Sequence, residues 1–269
     1  MSGFHLTLKQ PPALRVDATA LQPAALAALS AAQVAQLVLP HGRDGVAVGD
    51  LFTIETAHDD LLVLEGDLSR VDRIGCTLAG GEIRVHGSVG AYAGAGMSGG
   101  KIVIDGHAGD LAACEMRGGW LEVAGNTGDL AASALPGSMD GMRGGTLVVR
   151  GHAGARLADR MRRGTVVVFG DAGDFLGSRM VAGTVAISGR AGQHVAYGMR
   201  RGSIVFAGPA PVLAATFVPV NSNADVFWQL LARDLARFGG AFAGLAQRRV
   251  ERHAGDLAAL GKGELLLPQ

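Results

Sequence analysis

The sequence predicts an all-β solenoid: a right-handed parallel β-helix of about seven coils, with a small mixed α/β N-terminal cap and a C-terminal helical segment. Three observations predict it: methionines at a fixed interval, glycines at fixed offsets from them, and alternating apolar residues between the glycines. The methionines are separated by 19, 26, 19, 19 and 19 residues and are Met97, Met116, Met142, Met161, Met180 and Met199. A fixed period of this kind means that each copy buries its apolar side by stacking on its neighbours.

Glycine recurs three, nine and twelve residues after the methionines, and Leu78 replaces methionine one period earlier to give a seventh copy. We interpret these glycines as structural corners, because a tight coil needs positive φ or close backbone approach. The corner glycines are Gly100, Gly106, Gly109, Gly119, Gly125, Gly128, Gly145, Gly151, Gly154, Gly164, Gly170, Gly173, Gly183, Gly189 and Gly192. Small residues at offset eleven, such as Ala108 and Ala153, leave room for an interior corner.

Apolar residues at offsets five and seven predict one strand per copy with one buried face. The pairs are Ile83/Val85, Ile102/Ile104, Leu121/Val123, Leu147/Val149, Val166/Val168, Val185/Ile187 and Ile204/Phe206. Stacked at roughly 4.7–4.9 Å, seven copies form a rod about 30 Å long. The one interval of 26 residues carries an insertion at 135–141, which we expect to form a loop on one side of the rod, where a partner often binds.

Three regions are predicted: an N-terminal capping region at 1–60, the glycine repeats at 61–208 and a C-terminal helical extension at 209–269. The cap combines strand-like runs at 4–8 and 51–55 with an alanine-rich helix at 23–37, and 61–66 forms an irregular first coil. In the extension Asn223 caps a helix at 224–238, and more helical turns follow within 245–260. The face of that helix predicted to be buried comprises Val226, Phe227, Leu230, Leu231, Leu235 and Phe238.

Composition narrows the functional classes. The 24 basic and 24 acidic residues cancel, which argues against a nucleic-acid partner and a polybasic membrane patch. The N-terminus has no secretory signal pattern and no segment is long and apolar enough to span a bilayer, so we expect a cytoplasmic protein. Cys76 and Cys114 are two periods apart, roughly 9–10 Å, and too distant for a disulfide; we expect two small buried hydrophobic residues.

Candidate chemistry is sparse. We assign no catalytic, cofactor-binding or metal-ligating residue: metal-ligand spacings, a nucleophile elbow and a phosphate loop are all missing, and His107 and His152 lie two turns apart. The suggestive pattern is a column of arginines at offset one, with Arg163 and Arg201 beside it. The column consists of Arg117, Arg143, Arg162 and Arg200. It either pairs with Asp110, Asp129 and Asp174 on a solvated face, or forms an edge that meets an acidic partner or a polyanionic ligand.

The repeat M-x-x-G-x-[ILV]-x-[ILV]-x-G-x-x-G, seen at 97–109 and 161–173, resembles the glycine-repeat β-helix of two groups. These are the C-terminal domain of glutamate synthase large subunits and the C subunits of formylmethanofuran dehydrogenases. The tail at 250–264 also resembles the end of those C subunits, so the similarity covers about 60–265 and favours that family. One branch of the family belongs to tungsten or molybdenum formylmethanofuran dehydrogenases. The other is the gamma subunit of a bacterial formyltransferase/hydrolase complex. The chain has 21 arginines and three lysines, a ratio typical of a high-GC bacterium, and this favours the bacterial branch.

The resemblance implies a role in one-carbon metabolism, specifically formaldehyde oxidation in methylotrophy. The bacterial complex passes a formyl group from formyl-tetrahydromethanopterin to a methanofuran analogue and hydrolyses it to formate. Its metal and its coenzyme chemistry belong to the hydrolase and formyltransferase subunits, so this chain alone binds no cofactor and those subunits are its partners. The furan coenzyme of the family carries a glutamate-containing tail with several carboxylates, which arginines could guide.

Two classes of function therefore remain. The first is a non-catalytic scaffold subunit of a formyl-transferring complex. The second is an independent β-helix enzyme acting on a polysaccharide or a small acid. Enzymes of the second class usually present a cleft of acids and aromatics along the rod, whereas the aromatics within these copies share no single column. The scaffold interpretation is favoured.

Overall fold

The computed structural model describes residues 3–57, 61–220 and 225–269, and the chain is mostly β within them. These ranges contain one sheet of 13 strands and one of four. The strands are β1 (Gly3–Leu8), β2 (Val16–Asp17), β3 (Val38–His41), β4 (Asp44–Ala47), β5 (Phe52–Ala57), β6 (Leu61–Glu65), β7 (Val71–Asp72), β8 (Glu82–His86), β9 (Lys101–Ile104), β10 (Arg117–Val123), β11 (Arg143–Val149), β12 (Arg163–Val168), β13 (Thr184–Ile187), β14 (Arg201–Phe206), β15 (Val218–Pro219), β16 (Val250–Gly255) and β17 (Lys262–Pro268). The helices are α1 (Pro23–Leu26), α2 (Ala31–Gln36), α3 (Val48–Leu51) and α4 (Asp225–Ala236).

The seven repeat strands are confirmed as β8 to β14, paired in parallel in the order of the sequence. Val166 lies opposite Val185, 19 residues later, and the pairing of Leu121 with Leu147 keeps the same register across the insertion. The apolar residues at offsets five and seven are all at most 1% exposed, so one face of the sheet forms the core. A second contact line runs through offset eleven, where single bridges link successive copies from Val89 to Ala191.

On another side of each copy, alternate residues have positive φ, which the sequence did not predict because few of these residues are glycine. One such set, hereafter the left-handed column, has φ between 58° and 63°. It consists of Arg73, Tyr92, Leu111, Leu130, Arg156, Phe175 and His194. Amide groups on this side point along the stack in both directions: the Leu111 N–H donates to the Asp129 carbonyl in the next copy, and the Ala113 N–H, two residues on, donates back to the Ala93 carbonyl.

The N-terminal region closes one end of the large sheet. Strand β1 pairs in parallel with β6 and antiparallel with β5, so the predicted strand runs at 4–8 and 51–55 are confirmed. The single helix predicted at 23–37 is wrong in one respect, since it is divided into α1 and α2. Ser30 forms a capping box with Gln33 that begins α2 afresh. The run at 61–66 is more regular than predicted and forms β6, which pairs with β8.

The C-terminal region departs most from the prediction. Helix α4 is confirmed over its described residues, while the proposed cap Asn223 lies outside them. Beyond it, short 3₁₀ turns alternate with β16 and β17, and β17 pairs in parallel with β14, so the helical turns predicted within 245–260 are largely wrong. An antiparallel hairpin satisfies the strand edge that β14 leaves open, which isolated helical turns would not do.

The buried face of α4 agrees only in part with the predicted one, since Leu235 and Phe238 are buried as predicted. Trp228, Ala232 and Leu235 are buried, whereas Val226 and Leu230 are exposed. The buried side packs on a second apolar cluster, formed by the outward residues of the later repeat strands. These outward residues are Val148, Val167, Ala186 and Val205.

Candidate anion or partner edge

The corner glycines serve two physical purposes. At offset three the backbone is left-handed, with φ of 102° at Gly164, a region that favours glycine. At offsets nine and twelve close approach decides instead. A Cβ added at Gly151 would overlap Asn126 Oδ1 and lie 2.7 Å from the carbonyl oxygen of Gly125 in the preceding copy.

Polar side chains at the corners accept hydrogen bonds from the next copy. In one acceptor ladder, at offset ten, His107 Nδ1 accepts from the Asn126 N–H at 2.9 Å, and Asn126 Oδ1 accepts from the His152 N–H at 2.8 Å. His152 Nδ1 in turn accepts from the Asp171 N–H at 2.9 Å. Each side chain therefore satisfies a backbone donor one copy further along, and the two histidines at this offset hold the stack together.

A parallel ladder at offset thirteen uses carboxylates. Asp110 Oδ1 accepts from the Asp129 N–H at 2.8 Å, and Asp129 Oδ1 accepts from the Ala155 N–H at 2.7 Å. Asp174 does the same for the Gln193 N–H at 2.7 Å. The prediction that these three aspartates pair with the arginine column on a solvated face is therefore wrong, because their carboxylates bind backbone N–H groups.

The arginines of the column differ in their acidic partners. Arg143 contacts Glu115 at 3.3 Å, and Arg162 forms an ion pair with Asp140 of the insertion loop. Arg200 has no acidic partner among the described side chains, and the same holds for Arg117. The column thus carries more positive charge than its carboxylate neighbours offset.

Five arginines meet in one open cleft of about 510 Å³, hereafter the arginine cleft. Val181 and Ala182 occupy the copy between its arginine rows, so short side chains separate the charged ones. The lining residues are Asp140, Arg143, Arg162, Arg163, Val181, Ala182, Arg200, Arg201 and Leu260. Three of the four predicted edge residues thus come together, while Arg117 is not in the lining. Guanidinium groups at this spacing can hold carboxylates bidentately.

The insertion loop borders this cleft. Glu115 accepts from the Leu135 N–H at 3.3 Å where the loop begins, and Arg160 donates to the Ser138 carbonyl at 3.1 Å. Met139 at the tip is 71% exposed. Because Asp140 both belongs to the loop and pairs with Arg162, the loop and the cleft form one continuous surface.

The two cysteines lie in one column with Ala95 between them, and both are free thiols. Cys114 is fully buried; burial above all, followed by the nearby charge of Glu115, raises its pKa to about 12. Among the described residues, no group of three or more His, Cys, Asp or Glu side chains could hold a metal ion. None of the helices in these ranges has the length and apolarity needed to cross a membrane.

Several known proteins are similar to parts of this chain, although no protein-family model matches it. The C subunit of the formyltransferase/hydrolase complex Fhc from Methylorubrum extorquens is 44% identical over 76 residues, which is 28% of this chain and 29% of that protein. The C subunit of tungsten-containing formylmethanofuran dehydrogenase 2 from Methanothermobacter thermautotrophicus is 36% identical over 100 residues, 35% of this chain and 37% of the relative. The alignments thus span about a third of the curated relatives' length.

A solved structure extends the similarity to the full chain. It is the crystal structure of the formyltransferase/hydrolase complex (FhcABCD) from Methylorubrum extorquens in complex with methylofuran. One of its chains matches with a TM-score of 0.92 and 42% identity, covering 98% of this chain and 99% of that one. With this match over nearly the whole length, and with sequence relatives that are all C subunits, the chain belongs to the family of formylmethanofuran dehydrogenase C subunits, as a bacterial Fhc gamma-type member.

Proposed function

We propose that this chain is the non-catalytic structural subunit of a formyltransferase/hydrolase complex. The complex transfers a formyl group from formyl-tetrahydromethanopterin to a methanofuran analogue and releases formate. The observation that carries the proposal is the match over 99% of a chain of FhcABCD. Its partners are the hydrolase and formyltransferase subunits, which supply the metal and act on the coenzyme, while this chain alone binds neither.

The corner hydrogen bonds support a structural role. The groups most suited to acid-base work in the repeats, His107, His152, Asp110, Asp129 and Asp174, each accept from a backbone N–H of the following copy. A side chain that makes this hydrogen bond is fixed between two stacked copies, which is a structural role. We propose that the stacked copies form a right-handed parallel β-helix over 61–208, with 1–60 as its N-terminal cap and 209–269 as its C-terminal extension.

Reconstitution tests the structural role. The purified chain alone should release no formate from the formylated coenzyme, whereas adding it to the other subunits should restore a stable, active complex. Formate release by the single chain at a rate like that of the complex would refute the non-catalytic role. Failure of the chain to join the other subunits would refute the role in assembly.

We further propose that the arginine cleft meets carboxylates, either those of the glutamate-containing coenzyme tail or those of a partner surface. Changing Arg162, Arg200 and Arg201 together to glutamine should raise the KM for the coenzyme or weaken assembly in a salt-dependent way, since the contacts are ionic. The chain should still fold, because all three side chains are exposed. Arg117→Gln is the matched control, as Arg117 shares the column but does not line the cleft.

The two sources of carboxylate give different results. A raised KM with normal assembly indicates the coenzyme tail, and weakened assembly with a normal KM in the assembled fraction indicates a partner surface. If the triple variant behaves like Arg117→Gln in both assays, the cleft is an ordinary solvated surface.

A further inference from the structure

A second surface, separate from the arginine cleft, lies at the end of the left-handed column. The Arg156 guanidinium carbon is 4.8 Å from the ring centroid of Phe175, and the Phe175 and His194 rings stack at 4.7 Å with 25° between their planes. Tyr197 meets Phe175 edge-on at 6.2 Å. Three successive copies thus build one continuous stack of a cation and aromatic rings.

The backbone under this stack is one that glycine would adopt without strain. Phe175 has φ of 61° and His194 has φ of 58°, and a large side chain is disfavoured there. Large residues in such a conformation are a reason to look for a role of the side chain itself. The packing inside the rod does not supply that role, since His194 and Tyr197 are exposed.

The stack ends beside an open cavity. Phe175 covers one side of the His194 ring, and His194 also lines a cavity of about 460 Å³ formed by 191–195 and 212–214. Val212 at its border is 90% exposed and Tyr197 is 60% exposed. Of the lining side chains only Gln193 and His194 are polar, so the cavity is mostly apolar.

We propose that this aromatic patch, made of Arg156, Phe175, His194, Tyr197 and Val212, docks another subunit of the complex through an aromatic side chain with a carboxylate beside it. The proposal rests on the proposed function. The ring enters the cavity against His194, and aromatic residues and arginine, such as those of this patch, contribute most to interface binding energy. The carboxylate follows from charge complementarity, because Arg156 has no acidic partner among the described side chains.

The experiment measures the Kd between this chain and a subcomplex of the remaining subunits by surface plasmon resonance. Tyr197→Ala and Val212→Asp should each raise the Kd about tenfold or more, because the first truncates an interface residue and the second places a charge in an apolar contact. Leu14→Asp is the matched control for Val212→Asp: Leu14 is also exposed and apolar, but lies in the N-terminal region.

Each result decides a specific point. If Tyr197→Ala and Val212→Asp bind as tightly as the wild type, this inference is wrong while the proposed function stands. If the wild-type chain does not bind the subcomplex, the proposed function itself fails. Arg156→Gln should weaken binding more at low than at high salt, and equal Kd values to the wild type at both salt concentrations would contradict the carboxylate.

Discussion

Gly151→Ala offers a direct test of how the copies stack. The Asn126 side chain of the preceding copy occupies the space that an alanine Cβ needs, and the Gly125 carbonyl oxygen would lie only 2.7 Å away. The new methyl group therefore displaces Asn126, whose Oδ1 accepts from the His152 N–H at 2.8 Å. Losing that bond costs about 0.5–1.5 kcal/mol. Overpacking against the backbone costs about 1–3 kcal/mol more.

We therefore expect Gly151→Ala to lower the free energy of unfolding by about 1.5–4.5 kcal/mol in urea titrations followed by circular dichroism. Gly151→Val and Gly170→Val should lose more stability, since the larger side chain meets a backbone carbonyl of the preceding copy, that of Gly125 or of Gly151 respectively. Gly80→Ala is the matched control: it lies in the same repeats and a Cβ there would meet nothing within 4 Å. Its stability should change by no more than about 0.5 kcal/mol.

A double variant separates the two contributions. Because Asn126→Ala removes the oxygen that overlaps the new methyl group, Asn126→Ala with Gly151→Ala should cost less than the sum of the single variants by about 1 kcal/mol. Equal unfolding midpoints for Gly151→Ala and Gly80→Ala would refute the reasoning, and strict additivity in the double variant would assign the whole cost to the backbone.

Three further predictions concern single side chains. Cys114 should react with a thiol reagent only as fast as the protein unfolds, because it is buried and its pKa is raised to about 12; rapid labelling of the native state would contradict this. Burial alone would raise the pKa of Asp256, but hydrogen bonds from Ala258, Thr216 and Gly198 outweigh it and lower the pKa below its usual 3.8. The ionised Asp256 therefore stabilises the fold above pH 3.8, and this contribution is lost as the pH falls through the lowered pKa. The free energy of unfolding of Asp256→Asn should fall less steeply with acid than that of the wild type, and identical pH profiles would refute this. On α4, Leu230→Glu should leave the melting temperature nearly unchanged and Trp228→Glu should lower it by several degrees; the reverse order would restore the face expected from sequence.

Much of the repeat could be predicted from the sequence because its signal is periodic. Spacing alone gave the number of strands, their parallel order and their inward residues, since an error of one residue would turn the buried face outward. The left-handed column could not be found in this way. Its residues include leucine, arginine and phenylalanine, and nothing in those residue types indicates positive φ; only stacking on neighbouring copies holds them there.

The C-terminal region had a signal that was missed. At offset six the early strands carry Arg84, Val103 and Glu122, whereas the later ones carry Val148, Val167, Ala186 and Val205. An outward face that changes from mostly charged to apolar part-way along the repeats indicates that another element covers the later strands. Helix α4 and the turns after it provide that cover. The apolar residues of α4 surround most of the helix, so its own pattern did not identify the buried side.

The insertion loop and its arginines mark the limit of sequence reasoning at the candidate site. A shared offset correctly grouped Arg143, Arg162 and Arg200, because residues at one offset stack in space. Their ionic partners could not be predicted. Glu115 and Asp140, the acids that contact them, lie at other positions of the repeat. The aspartates expected to pair with the arginines, such as Asp110, accept hydrogen bonds from backbone N–H groups instead.

The ladder of accepting side chains at offset ten also ends at a defined copy. Its last member, Asp171, accepts from the Arg190 N–H at 2.7 Å, and an arginine side chain has no acceptor to offer the copy beyond. The residue that would need it, one period later, is Pro209, which has no N–H to donate. The acceptor at position 190 and the N–H donor at position 209 are thus both missing, so the hydrogen-bond ladder stops after Asp171. Duplicating residues 161–179 should add one strand to the large sheet, at a spacing of about 4.8 Å, without disturbing either end, because Asp171 donates its N–H to the preceding copy and accepts from the following one.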